Sequence, residues 1–119
     1  MINLQELYEL QNDLDKFIVA KATDGKYCIK LDHNDKRFFL NDRILALFTE
    51  VGEFANATKC FKYWSKKPCE SKERLLDEYV DMLHFWLSIG NTMEFTPEEV
   101  QEAYLKKNKE NMERQVNGY

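Results

Sequence analysis

An antiparallel, four-helix bundle-like core is the fold class that the sequence predicts, within a single all-α domain spanning residues 1–119. In four segments, apolar residues recur at steps of three and four, which is the spacing of one face of an α-helix. Capping and turn residues separate these segments. With 44% hydrophobic and 32% charged residues, the chain has the composition of an ordinary soluble domain with one core.

The first helix is predicted over residues 3–21, where apolar side chains follow one face and Asn3 can cap the start. Three polar side chains stand beside that face, and periodicity alone predicts that they are solvated: Gln11, Asn12 and Asp15. Helical spacing ends at Thr23-Asp24-Gly25, so a loop is predicted over residues 23–39, with a short helix or strand piece within it as the alternative and His33 facing solvent.

The second helix is predicted to begin at Asn41-Asp42, a good amino-terminal cap, and to run to about Trp64. Two small residues within it, Gly52 and Ala55, permit close contact with another helix. The turn after this helix is assigned to Ser65-Lys66-Lys67-Pro68, because proline cannot continue a helix.

Caps also mark the last two helices. The third is predicted from about Ser71 to Gly90-Asn91, where glycine and asparagine favour a carboxyl-terminal cap. The fourth begins at Thr96-Pro97-Glu98-Glu99, with threonine at the cap, proline at the first helical position and Glu99 completing a capping box. It is predicted to run to about Val116.

Two carboxylate pairs, Glu50 with Glu53 and Glu78 with Asp81, lie on the second and third helices. Residues three apart share a helix face, so each pair points two negative charges in one direction. The helix around the second pair is apolar nearly all round, which predicts burial, and no Lys or Arg occurs between residues 75 and 104. Buried carboxylates need a partner, and four converging carboxylates form the all-oxygen ligand set that Mg²⁺ prefers. The alternative is two solvated pairs.

A polar stripe follows the fourth helix. Tyr104, Lys107, Asn111 and Arg114 recur at the spacing of a core face, yet they are hydrogen-bonding or basic residues. Arginine and lysine on such a face are natural phosphate ligands. A solvated charged face is the alternative.

Charge and composition exclude several classes. A net charge of −4 with interspersed signs argues against non-specific nucleic-acid binding, and the apolar runs are too short to cross a membrane. The amino terminus does not have the pattern of a signal peptide, so we expect a cytoplasmic protein. The cysteines, Cys28, Cys60 and Cys69, lack the number and spacing of a disulfide framework or a zinc site, so free thiols are expected.

Several motifs together resemble a known family. The carboxylate pairs resemble the metal-binding signature of the MazG-like all-α nucleoside triphosphate pyrophosphohydrolases. More closely, the chain resembles the dimeric all-α dUTP diphosphatases over nearly its whole length, in these segments: Leu10-Gln11-x-x-Leu14-Asp15, Phe61-Lys62-Tyr63-Trp64-Ser65, Asp81-Met82-Leu83-His84-Phe85 and Tyr104-x-x-Lys107-Asn108-x-x-Asn111-x-x-Arg114-Gln115-x-x-Gly118-Tyr119.

The resemblance implies a role for each matching residue. The metal ligands would be Glu50, Glu53, Glu78 and Asp81, with Glu50 favoured as the group that takes the proton of the attacking water and Glu53 second. The phosphate chain would be contacted by Lys62, Lys107, Asn111, Arg114 and Tyr119. The uracil and deoxyribose pocket would be lined by Gln11, Trp64, His84 and Phe85. Many members of the family are longer than this chain, so a wall of the base pocket has to come from a partner subunit or be missing.

The expected function is Mg²⁺-dependent hydrolysis of dUTP to dUMP and pyrophosphate, with dUDP as a further substrate, at least two ions per site and Mn²⁺ as a substitute. The resemblance also implies a homodimer, with a tetramer as the alternative. A related enzyme for another nucleotide such as dCTP is the nearest alternative, and a non-catalytic helical interaction module is the alternative of another class. A four-helix di-iron protein would need Glu-x-x-His on two helices, a motif that only Asp81-Met82-Leu83-His84 approaches.

Overall fold

Four helices form the described part of the chain: α1 (Leu4–Ala22), α2 (His33–Thr58), α3 (Lys72–Thr92) and α4 (Pro97–Val116). The structure, a computed structural model, describes residues 1–22 and 33–118, apart from the side chains of residues 33–36. These residues contain no strand, so the all-α prediction is confirmed. Within the same residues, none of the helices combines the length and the apolar character that crossing a bilayer requires.

Helices α2 and α3 pair in antiparallel fashion. Phe54 near the end of α2 packs on Tyr79 near the start of α3, with ring centroids 5.9 Å apart, whereas Arg43 earlier on α2 reaches Ser88 later on α3. The connection between the two helices is closed by a hydrogen bond of 2.9 Å from the Glu70 amide to the Ala57 carbonyl. The pair therefore sets which carboxylates face each other.

Helix α1 crosses α3 where α3 has a glycine. A Cβ on Gly90 would lie 2.8 Å from Tyr8 Cε1, so the tyrosine ring occupies the space that a larger residue would need. The Asn91 side chain donates to the Tyr8 carbonyl at 2.9 Å, and Tyr8 also contacts the Trp86 ring. Gly90 thus lies inside α3 and permits a close helix contact, rather than ending the helix as the sequence predicted.

The predicted bounds of α2 were wrong at both ends. Residues 33–39 belong to α2, whereas the sequence predicted a loop there with a separate short helix or strand piece as the alternative. Helix α2 ends at Thr58 rather than near Trp64. At its start, the Arg43 guanidinium stacks on the Phe39 ring one turn earlier, 3.3 Å from the centroid, which favours helix over a cap at Asn41. At its end, Lys59 takes a positive φ of 61°, which stops the helix without the glycine that usually marks such a position.

The other caps are as predicted. The Ser71 hydroxyl accepts a hydrogen bond from the Arg74 amide at 3.3 Å and starts α3. Thr96 and Glu99 form the complete capping box at the start of α4, with proline next to the cap. The predicted loop lies outside the described residues over 23–32, as do the side chain of His33 and the whole of Cys28. Cys60 and Cys69 are free and exposed, as expected.

Helix α4 contacts α1 and, among the described residues, has no substantial contact with α2 or α3. None of its residues is buried. The Cα radius of gyration is 17.8 Å, whereas a compact domain of this length would have about 13.5 Å. A single chain is therefore less compact than an ordinary domain of this length.

Apolar side chains on α3 are more exposed than the sequence predicted. Leu76 and Tyr79 retain 56% and 58% of their accessible surface, and Trp86 retains 44%. The expectation of a fully buried helix is wrong for a single chain, because the contacts of α3 with α1 and α2 leave these side chains exposed.

Candidate active site

Three carboxylates meet between α2 and α3. Glu50 of α2 and Glu78 and Asp81 of α3 each offer one oxygen, and these oxygens lie within 4.8 Å of one another. Glu78 is 7% exposed. The Oε2 atoms of Glu50 and Glu78 are buried and have no hydrogen-bond partner within the described part of the chain. Buried carboxylate oxygens without a partner are costly, so their convergence needs a compensating positive charge.

One positive charge is supplied by Arg74, which the sequence analysis missed. Its Nη2 donates to Glu78 Oε1 at 2.8 Å, so one oxygen of Glu78 is paired and the other is left free. Arg74 lies directly before the segment without basic residues that begins at Leu75. An Arg four residues before a Glu on one helix was the signal that could have found this pair.

The Glu50 carboxylate is destabilised in its charged form. Desolvation raises its pKa above the ordinary value of 4.5, and the negative charges of Glu53, Asp81 and Glu78 raise the pKa further. A hydrogen bond with Glu53 acts in the same direction. Glu50 therefore holds a proton more readily than an ordinary glutamate does.

The donor set fits a hard divalent cation. All three ligands are carboxylates, and oxygen ligands of this kind suit Mg²⁺. The two buried oxygens that have no partner among the described residues are positions at which an ion would satisfy the carboxylates. Glu53 is exposed and lies outside the group of three, next to Glu50. The structure thus brings together three of the four predicted ligands.

The predicted phosphate-binding residues lie apart from this cluster in a single chain. Lys107, Asn111 and Arg114 are exposed on α4, and Arg114 lines an open groove near the carboxyl end of that helix. Tyr119 lies outside the described residues. Since α4 has no substantial contact with α2 or α3 among those residues, the chain by itself does not carry these groups to the carboxylates.

The loop between α2 and α3 forms a basic groove. Its side chains include Lys62 and Trp64, both predicted to contact substrate, together with further lysines: Lys59, Lys66 and Lys67. Trp64 is 64% exposed, and its ring packs edge-on against Tyr63 with centroids 5.1 Å apart. The groove therefore combines positive charge with a flat aromatic surface.

A polar network joins α1, α2 and α3, and it is largely buried except at His84, which is exposed. Gln11 Nε2 donates to Asp15 Oδ1 at 2.9 Å, and Gln11 Oε1 lies 2.6 Å from His84 Nδ1. The Ser88 hydroxyl donates to Asp15 Oδ2 at 2.6 Å. Arg43 lies 3.5 Å from Asp15 Oδ1 and donates through Nε to Ser88. Two residues predicted to line the base pocket, Gln11 and His84, are thus held together.

The expectation that Gln11 and Asp15 are solvated was wrong, since they are only 5% and 9% exposed. The sequence analysis assigned no role to Arg43 or Ser88, whose polar groups make this burial tolerable. Burial lowers the pKa of Arg43, while the charge of Asp15 acts in the opposite direction. Phe85, the remaining predicted pocket residue, is half-buried on α3.

Comparison with known proteins identifies the family of the chain. The sequence profile of the dUTPase family matches residues 3–96 and 86–119. The chain is 31% identical over 135 aligned positions to the dCTP pyrophosphatase of Enterobacteria phage T4, covering 90% of this chain and 79% of that protein. No solved structure matches the chain significantly. With a family match along nearly its whole length and a pyrophosphatase as a relative, the chain belongs to the dUTPase family of all-α nucleoside triphosphate pyrophosphatases.

Proposed function

We propose that this protein hydrolyses dUTP to dUMP and pyrophosphate with Mg²⁺, that Mn²⁺ can substitute, and that dUDP is a further substrate. The observation that carries the proposal is the pair of buried, unpaired oxygens, Glu50 Oε2 and Glu78 Oε2, beside Asp81. Membership of the family supports the reaction type. The uracil preference rests on the pocket residues that resemble those of dUTP diphosphatases.

The carboxylates would hold at least two ions, with Glu53 joining the group of three. An Mg²⁺ ion held there would supply neutralisation of phosphate charge and a more acidic water. Glu50 is the carboxylate proposed to take the proton of the attacking water, with Glu53 second. The oxygen of the water bonds to the α-phosphorus while the bond to the bridging oxygen breaks, and pyrophosphate leaves.

The basic residues bind the phosphate chain in this proposal. Lys62 reaches it from the loop, while Lys107, Asn111, Arg114 and Tyr119 reach it from the carboxyl-terminal segment. In a single chain α4 has no substantial contact with the helices of the carboxylates, and α3 leaves apolar residues exposed. A homodimer in which helices of two copies pack together would cover these residues and complete the site, and a tetramer is the alternative assembly.

A panel of nucleoside triphosphates with Mg²⁺, read out separately for pyrophosphate and for orthophosphate, tests the proposed reaction. The expected result is pyrophosphate release from dUTP and none in EDTA. Release of orthophosphate with dUDP as product, or equal activity in EDTA, would contradict the proposal.

A second candidate substrate is dCTP, favoured by one specific observation. The relative from phage T4 is named a dCTP pyrophosphatase. The same panel distinguishes the two, because the ratio of kcat/KM for dUTP to that for dCTP is above one in the first case and below one in the second. The carboxylate cluster has the same role in both.

A further inference from the structure

The polar network of Gln11, Asp15, Arg43, His84 and Ser88 has one consistent set of hydrogen-bond directions. Arginine only donates and an ionised carboxylate only accepts, so the two ends of the network are fixed. Arg43 donates to Ser88, and the Ser88 hydrogen therefore points to Asp15. Asp15 likewise requires the NH₂ group of Gln11, not its carbonyl, to face it.

Gln11 transmits this direction to His84. With its NH₂ group on Asp15, the Gln11 amide presents Oε1 to His84, 2.6 Å from Nδ1. An amide oxygen cannot donate, so His84 Nδ1 carries a hydrogen. Asp15 thus determines both which way the Gln11 amide is turned and which nitrogen of His84 is protonated when the ring is neutral.

The direction of an amide matters for a site that distinguishes pyrimidines. Uracil presents a carbonyl acceptor beside an N–H donor, whereas cytosine presents an amino donor beside a bare nitrogen acceptor. A glutamine that can turn over offers its donor and acceptor in either order and can pair with both edges. Held in one direction, it pairs with one edge and leaves polar groups unpaired against the other.

We propose that Asp15 is the positioning residue for base selection: it holds the Gln11 amide in one orientation, supported by Ser88 and Arg43, and so makes this family site prefer one pyrimidine. The inference rests on the proposed function, in which Gln11 contacts the base. Each amide atom of Gln11 retains one further hydrogen-bonding position, an N–H on Nε2 and a lone pair on Oε1, for that contact. Asp15 itself touches neither the base nor the carboxylate cluster in this scheme.

The test is Asp15→Asn. Asparagine has the shape of aspartate, but its side chain can donate as well as accept a hydrogen bond, so the Gln11 amide can adopt both orientations. The ratio of kcat/KM for dUTP to that for dCTP is expected to move toward one by about tenfold or more, mainly through KM. Asp13→Asn, on the exposed side of the same helix, is the matched control and should leave the ratio unchanged. Asp15→Asn leaves the positive charge of Arg43 without its partner. If that variant does not fold, the double variant Asp15→Asn with Arg43→Met is used instead, because it removes this charge as well.

Nitrogen NMR of the histidine rings provides a readout independent of activity. The chain has two histidines, so a His33→Gln variant assigns the His84 signals. At mildly alkaline pH, the wild type is expected to carry the His84 hydrogen on Nδ1 and the Asp15→Asn variant to show a mixture of both forms. An unchanged spectrum, or an unchanged substrate ratio with a changed spectrum, would overturn the inference. Hydrolysis of neither nucleotide by the wild type would contradict the proposed function, and the spectrum distinguishes that failure from a failure of Asp15 to orient Gln11.

Discussion

Arg74 holds one oxygen of Glu78, at 2.8 Å, and the other oxygen is buried without a partner among the residues that the structure describes. The hydrogen bond to Arg74 holds the plane of the Glu78 carboxylate, while the second oxygen stays available as a ligand. The Arg74 side chain is 58% exposed, so the ion pair itself stabilises the fold by no more than about 1 kcal/mol. Its main effect is on orientation, because one oxygen of the Glu78 carboxylate is held by Arg74 while the residue also meets Glu50 of α2 in the carboxylate cluster.

The first prediction concerns the ligands as a unit. Glu53→Gln and Asp81→Asn should each lower kcat/KM for the preferred triphosphate by about a hundredfold or more, because a cage that loses one carboxylate holds the ions poorly. The double variant should lose little more than either single variant. Asp77→Asn, an exposed carboxylate on the same helix as Asp81, is the control and should keep full activity. If the two single losses of kcat/KM add in full as activation free energies in the double variant, the two residues do not share a metal site.

Mg²⁺ should stabilise the folded protein without any nucleotide. At a hundred times its dissociation constant, a ligand that binds only the native state adds about 2.7 kcal/mol, so Tm should rise by several degrees. The Glu78→Gln variant should lose most of this rise, while Asp77→Asn should retain it. Equal shifts in both variants would mean that the ion binds elsewhere.

The stability of the metal-free protein should depend on the charge of Glu50. Its pKa is above 4.5 in the folded state, so the folded state binds more protons than the unfolded state just above that pH, and stability falls as pH rises through this window. Glu50→Gln removes the unfavourable negative charge at this position of the folded state. In EDTA, its Tm should exceed that of the wild type at neutral pH, and the excess should disappear below pH 4.5. A variant that is less stable than the wild type at neutral pH would indicate a structural role for the carboxylate.

Two glycines inside helices should respond in opposite ways to alanine. Gly90→Ala places a Cβ 2.8 Å from the Tyr8 ring and should lower the free energy of unfolding by about 1–3 kcal/mol. Gly52→Ala meets nothing within 4 Å and should raise it by about 0.5–1 kcal/mol, the usual gain of alanine over glycine in a helix. Denaturant unfolding measures both. Loss of stability in Gly52→Ala would mean that a second copy packs against that position.

Association should make the stability depend on protein concentration. If copies of the chain cover the exposed apolar residues of α3, Tm rises as concentration rises, because dissociation accompanies unfolding. Light scattering should give at least twice the mass of one chain at micromolar concentration. A single-chain mass with a constant Tm would exclude the homodimer.

Local sequence patterns identified the helices with clear caps. Ser71 and the Thr96 capping box predicted the starts of α3 and α4 because capping depends on residues close in the chain. The start of α2 was missed because Asn41-Asp42 has the character of a cap, whereas the contact of Phe39 with Arg43 favours a continuous helix. Gly90 was misread for a similar reason, since its neighbour Tyr8 is distant in the sequence.

The carboxylates were predictable because pairs three apart on two helices are a local signal, and Glu50, Glu78 and Asp81 do meet. Burial of Gln11 and Asp15 was not predictable from periodicity, because it depends on Arg43 and Ser88 from two other helices. The spacing on α4 revealed a polar stripe but carried no information on what that stripe faces.

The hydrogen bond from the Glu70 amide to the Ala57 carbonyl has an evolutionary consequence. It ties together the two ends of the segment that carries Trp64, so the pairing of α2 with α3 does not depend on the length of that segment. The entropy of closing a loop grows slowly, by about 0.6 kcal/mol for each doubling. Insertions and deletions between these ends can therefore reshape the basic groove in descendants of this chain while the carboxylates keep their register.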